Sequence, residues 1–187
     1  MCVAGTTGCV SNTPTYTYTD KPIYLGENKL VWVFIDQHFD PFEKMQISEA
    51  LASWNKALNG YIELKPVLNV VQEHQPDHPG DNDWVIQKVV PRAEVFPKVD
   101  AGSRVLGVAD SVGGHYIFLA SDVISIANLY YVSMHEMGHL LGAQHQSKDL
   151  MSPHFNKEHF HCIDAQTIMQ VAKAQKLPLK DLNFCTR

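Results

Sequence analysis

Three histidines, a glutamate and a glycine fall within "HEMGHLLGAQH", positions 135–145 of a 187-residue chain. His135 and His139 are four residues apart. On a helix that is about 40° around the axis and about 6 Å along it, so both imidazoles leave one face and can converge on one ion. Continued helix would carry His145 roughly 15 Å from His135, too far to share that ion. Gly142 removes the difficulty: lacking Cβ, it takes a positive φ, ends the helix and lets the chain turn back. Three neutral imidazoles around a tetrahedral ion leave one position open, the arrangement of a catalytic zinc site rather than a closed structural one. Glu136 need not touch the metal, and is placed to take a proton from water in the open position. The chain has 10 histidines, yet five specified positions arise by accident on the order of once in ten thousand such chains.

These side chains need a helix, a turn and a scaffold behind them. The helix is predicted to begin near Ser125, run through "IANLYYVSMHEMGHLLG" and stop at Gly142. Upstream, "KLVWVFID" (29–36) is an unbroken apolar run and is expected to be a strand buried on both faces. In "PFEKMQISEALASWNKALNG", Pro41 marks a helix start, and Ile47, Leu51, Trp54 and Leu58 recur at spacings of three and four. Gly60 ends the run. "YIELKPVLNVVQ", "WVIQKVVP", "RVLGVAD" and "HYIFLAS" read as further strands, and "IDAQTIMQVAKAQK" as a last helix capped by Asp164. Strands on either side of a long helix indicate an α/β or α+β fold, with strand order left open. Residues 1–22, rich in Thr, Gly and Pro, read as an extended leader, and 23–187 as one domain, with an upper part to about 142 and a lower part over 143–187.

Composition narrows the function. With 45% hydrophobic residues, the chain can bury a core without staples. A net charge of −5, thinly spread, offers no basic stripe for a phosphate backbone, so no nucleic-acid partner is expected. No stretch reaches the roughly 18 uninterrupted apolar residues of a membrane span. No basic start followed by an apolar run marks an intact secretion signal. Cys2, Cys9, Cys162 and Cys185 allow three pairings. A Cys162–Cys185 bridge, which would tie down the terminus in an oxidising compartment, stands against the reading of four free thiols.

Downstream, "DLMSP" puts Met151 six residues after His145. An elongated zinc helix followed by a methionine turn resembles the metzincin metallopeptidases, and Leu150, Met151 and Pro153 are most similar to the Leu-Met-x-Pro turn of the matrixin-like branch. The resemblance is specific over 129–155 and looser over 29–176. It implies zinc ligands at His135, His139 and His145, a catalytic base at Glu136, and Met151 as an apolar floor beneath the metal; for Met151 an ordinary core methionine is the other reading. It also implies a mixed, mostly parallel twisted sheet with an antiparallel edge strand, two long helices packed on it, and a C-terminal subdomain with one further helix. The expected activity is zinc-dependent hydrolysis of peptide bonds by a secreted or cell-surface monomer acting on protein or peptide substrates. The alternative is a zinc-holding binding or adhesion module without turnover.

The chain also departs from the family pattern. Pro153 stands where astacin-like and serralysin-like relatives carry tyrosine, and no Pro-Arg-Cys-Gly switch is present, which leaves Cys2 or Cys9 as conceivable thiols for the zinc. The family's structural zinc and calcium loop is not recognisable. Instead "EHQPDHPGDND" gathers His74, Asp77, His78, Asp81 and Asp83, which read either as a solvated turn or as a site for calcium or a second zinc. His154, His159 and His161 carry the same two readings. For the substrate, Val105, Leu106, Gly107, Val108 and Ala109 are the candidate edge strand, which would take a peptide as an added strand; an interior hairpin is the other reading. Tyr131, Val132, Pro153, His154 and Phe155 are candidate walls for the side chain after the cut bond.

Overall fold

A computed structural model describes residues 17–70, 79–91, 93–98, 104–154 and 162–186. Thr17–Tyr18 (β1) is followed by Lys29–Asp36 (β2), the helix Pro41–Leu58 (α1), Ile62–Val70 (β3) and Asp83–Lys88 (β4). Gly107–Ala109 (β5), Tyr116–Leu119 (β6), the helices Ile126–Leu141 (α2) and Ala165–Gln175 (α3), and Cys185–Thr186 (β7) complete the order. The main sheet has the order β3-β2-β4-β6-β5. β2 is parallel to β3 and β4, β4 is parallel to β6, and only β5 runs antiparallel, at the edge. β1 and β7 form a separate antiparallel pair.

Side-chain alternation decides where the core sits. Val31, Val33 and Ile35 are buried and pair across the sheet with Leu64, Trp84 and Ile86, while Ile86 in turn pairs with Ile117. α1 and α2 pack together on this face, and α1 contributes Ile47, Leu51, Trp54 and Leu58. The expectation that β2 is buried on both faces is corrected: Trp32 points away from the core, is 39% exposed, and carries Lys65 Nζ 5.2 Å from its ring centroid. An apolar run reports low polarity but not which face is covered, and among the described residues both long helices lie on one side.

The helix ends follow local chemistry. Asp40 caps α1 in a reciprocal box, its carboxylate accepting from Glu43 N while Glu43 Oε2 accepts from Asp40 N, with Pro41 in the first turn. The helix ends at Leu58, with Asn59 and then Gly60 at positive φ. Asp164 caps α3 through Gln166 N and Thr167 N. A disulfide joins Cys162 to Cys185. Among the described residues, no helix is long and apolar enough to cross a membrane.

Candidate metal centre

α2 buries Leu129, Val132, Met134, Met137, Leu140 and Leu141 against the sheet and α1, which fixes its rotation about its own axis. Trp54 Nε1 donates to Met134 O at 3.0 Å, so α1 also grips the backbone of α2 one residue before His135. Gly142 ends the helix at φ 109°, its N–H donating to Gly138 O and His139 O. The chain then reverses, and Gln146 N donates to Met151 O at 2.8 Å, closing the turn that carries His145. The three imidazoles meet. His139 Nε2 lies 3.1 Å from His135 Nε2 and 3.1 Å from His145 Nε2.

The far side of each helical histidine decides what those nitrogens are. His135 Nδ1 lies 2.7 Å from Leu150 O, and His139 Nδ1 lies 3.0 Å from Ala143 O. A carbonyl only accepts, so both Nδ1 atoms carry the proton and both Nε2 atoms present bare lone pairs to each other. Burial, and then the neighbouring imidazoles, push the His135 pKa down to about 4, and burial lowers that of His139 too. Facing lone pairs at such a separation repel unless a cation lies between them. A tetrahedral zinc with nitrogen ligands at about 2.0–2.1 Å would set them roughly 3.3 Å apart. The triad therefore fits such an ion.

Glu136, one residue along, turns from the imidazoles toward the sheet edge. Its carboxylate accepts a hydrogen bond from Ala109 N–H, and burial pushes its pKa up to about 8 against the lowering effect of that bond. Gly107 pairs with Leu119 and Ala109 with Ile117, so both inner-face positions of β5 look at α2. A Cβ on Gly107 would stand 2.8 Å from Glu136 Oε1 and 2.9 Å from its Cγ. The smallest residue is thus at the point where strand and carboxylate approach most closely.

The triad and Glu136 open onto a cleft of about 1120 Å³, whose lining includes Val105, Leu106, Gly107, Val108, Ala109, Tyr131, Val132, Pro153 and His154. Of the candidate edge residues, Gly107–Ala109 form the strand and Val105 and Leu106 precede it. Met151 is fully buried, with its Sδ beside Gly138. Phe155, His159 and His161, together with His74, Asp77, His78, Cys2 and Cys9, lie outside the described residues. Asp83 opens β4, where its Oδ2 accepts from Gly80 N and its peptide oxygen lies 2.8 Å from His115 Nδ1. Among the described residues, neither Asp81 nor Asp83 belongs to a cluster able to hold a metal; the group that can is His135, His139 and His145. Sequence reasoning missed Trp54 as an anchor of α2, and it missed Lys98 and Arg104, two cations on the cleft wall. Trp54 has the apolar spacing of a core residue, and nothing local marks its indole N–H as a tether.

A family model described as matrixin matches residues 35–172, which covers the end of β2, α1, the strands β3 to β6, the histidine triad and most of α3. The chain belongs to the matrixin family. The matched family is a peptidase family. The matrixin's fold is similar to that of metalloproteinase-II from Bacteroides fragilis, with a TM-score of 0.54 at 16% identity over 82% of this chain and 56% of that one. It therefore spans little more than half the length of that protein. Archaemetzincin from Methanopyrus kandleri aligns with a TM-score of 0.49 at 12% identity, covering 84% of this matrixin and 91% of its own chain. No curated protein matches the sequence.

Proposed function

We propose that this matrixin is an endopeptidase in which Glu136 acts as general base and then general acid. The observation that carries the reading is the set of converging Nε2 atoms with the buried Glu136 carboxylate beside them, held on the edge strand. Zinc held by His135, His139 and His145 would supply a Lewis acid that polarises a peptide carbonyl and makes water more acidic. Glu136 takes a proton from that water on a carboxylate oxygen and delivers it to the departing amine nitrogen. Ala109 N–H keeps the carboxylate aimed during both transfers. β5 borders the cleft at the end of the sheet, so an extended peptide adds to it as a further strand. Tyr131, Val132 and Pro153 offer apolar walls to the side chain after the cut bond. The Cys162–Cys185 disulfide supports a secreted or cell-surface location.

The test is Glu136→Gln. It removes the proton carrier and leaves the imidazoles, so cleavage of a mixed peptide library falls by roughly 100- to 10,000-fold while one equivalent of zinc is retained by elemental analysis. Undiminished turnover in that variant would overturn the role of Glu136. A zinc-loaded wild type that cleaves nothing would instead make the protein a zinc-holding binding module.

A further inference from the structure

His135 and His139 take their positions from α2, but His145 follows a chain reversal, and a reversed loop keeps a ligand in place only if something rigid holds it. α3 is what it lies against. Gln175 Nε2 donates to Leu141 O at 3.0 Å, and the Ala174 side chain sits so close to Gly142 that no Cβ fits there. Gln170 Oε1 accepts from Gln144 N at 2.5 Å, and Gln146 Nε2 donates to Thr167 Oγ1 at 3.1 Å. As the chain advances from 141 to 146, its partners step back along α3 from 175 to 167. Positions 167, 170 and 174 are spaced by three and four, so one face of α3 is laid along the whole reversal.

The two bonds nearest the ligand bracket it, one on each side of His145. Thr167 is fully buried, and its Oγ1 donates to Asp164 Oδ2 at 2.7 Å. Its one proton is thereby committed, and it is left to accept from Gln146. Asp164 is fixed in turn by the α3 N-terminus. The relay runs from the helix cap through Thr167 to the residue after the ligand, while Gln170 holds the backbone of the residue before it.

Resting on the zinc reading of the triad, we propose that Gln170 and Thr167 are positioning residues that hold His145 at the metal. They touch neither the ion nor the substrate. Gln170→Leu and Thr167→Val remove the acceptors, whereas Gln170→Glu and Thr167→Ser keep them. Each protein is loaded with one equivalent of zinc, and the rate of zinc transfer to a chromophoric chelator is followed beside the denaturation midpoint of the zinc-free form. Zinc release is expected to be about tenfold faster or more in the Leu and Val variants, the low end for outer partners of metal ligands, and to return to the wild-type rate in the Glu and Ser variants. Gln144 is exposed, so water replaces the lost acceptor and the zinc-free midpoint of Gln170→Leu stays at wild type. Should Thr167→Val fail to fold, Gln170→Leu alone decides. A wild-type release rate in Gln170→Leu overturns the positioning role. A wild type that binds no equivalent of zinc overturns the site itself, and that result is separate because it is read before any variant.

Discussion

Glu136 and His135 are adjacent in sequence, and burial acts on them in opposite directions. It favours the neutral form of each, which for the carboxyl means a pKa pushed up to about 8 from 4.5, and for the imidazole one pushed down to about 4 from 6.5. Between pH 4.5 and 8, zinc-free folded protein keeps a Glu136 proton that the unfolded chain has lost, so this group's contribution to stability falls as pH rises. Between pH 4 and 6.5 the unfolded chain binds a His135 proton that the folded protein refuses, so that contribution falls as pH drops. The two slopes oppose each other from 4.5 to 6.5, and above 6.5 only the carboxyl remains. Zinc-free protein is therefore expected to lose roughly 2 kcal/mol of stability from this group between pH 6.5 and 8. Denaturant titration in chelator checks it: Glu136→Gln should remove that slope, and an identical slope in the variant would refute the assignment. The histidine spacing was legible in the sequence because helix geometry is local. The bond from Ala109 N–H to Glu136, and those from His135 and His139 to carbonyls, were not, because backbone partners leave no mark on residue type.

β5 is three residues long, yet both of its inner-face residues meet α2, and at Gly107 the approach of strand to helix leaves no room for a Cβ. A methyl group at Gly107 would meet Glu136 Oε1 at 2.8 Å and Leu119 Cδ2 at 3.0 Å. Leu119 is locked in the core, whereas Glu136 lines the cleft, so the glutamate side chain is what must move. Gly107→Ala is expected to lower kcat by roughly ten- to a hundredfold, since displacements of an ångström or less are enough to spoil proton transfer, while zinc content stays at one equivalent. Peptide hydrolysis rates beside elemental analysis check this, and unchanged kcat would show that the strand is not seated on the base. Elements with local signals were readable in advance: Pro41 opening α1, Gly142 closing α2, Asp164 capping α3. The strand order and the one-sided burial of β2 were not, because both depend on where the helices return. Nor was the contact of Trp54 with the α2 backbone, which joins elements far apart in the chain.

At the scale of the molecule, the start of the described chain is pinned to its end. β1 pairs with β7, and Thr19 and Lys21 both donate to Asn183 Oδ1. The buried Asn183 also reaches Lys56 O on α1 through its amide, so one residue links both ends to the scaffold. Beside them, Cys162 and Cys185 are buried with Tyr18 packed against them, at a sequence separation of 23. The loop they close contains all of α3. Closing a loop of that length restricts the unfolded chain by about 3 kcal/mol. α3 does not depend on the bridge for its place, because Ile168 and Val171 are fully buried in the main core and Asp164 caps the helix. Replacing both cysteines by serine is therefore expected to lower unfolding free energy by about 2–4 kcal/mol and to leave the zinc release rate of the folded protein unchanged. Equilibrium denaturation, read beside chelator transfer well below the midpoint, separates the two quantities. Faster zinc release from fully folded double-serine protein would show that the bridge, rather than the packing of α3, fixes the helix against the ligand loop.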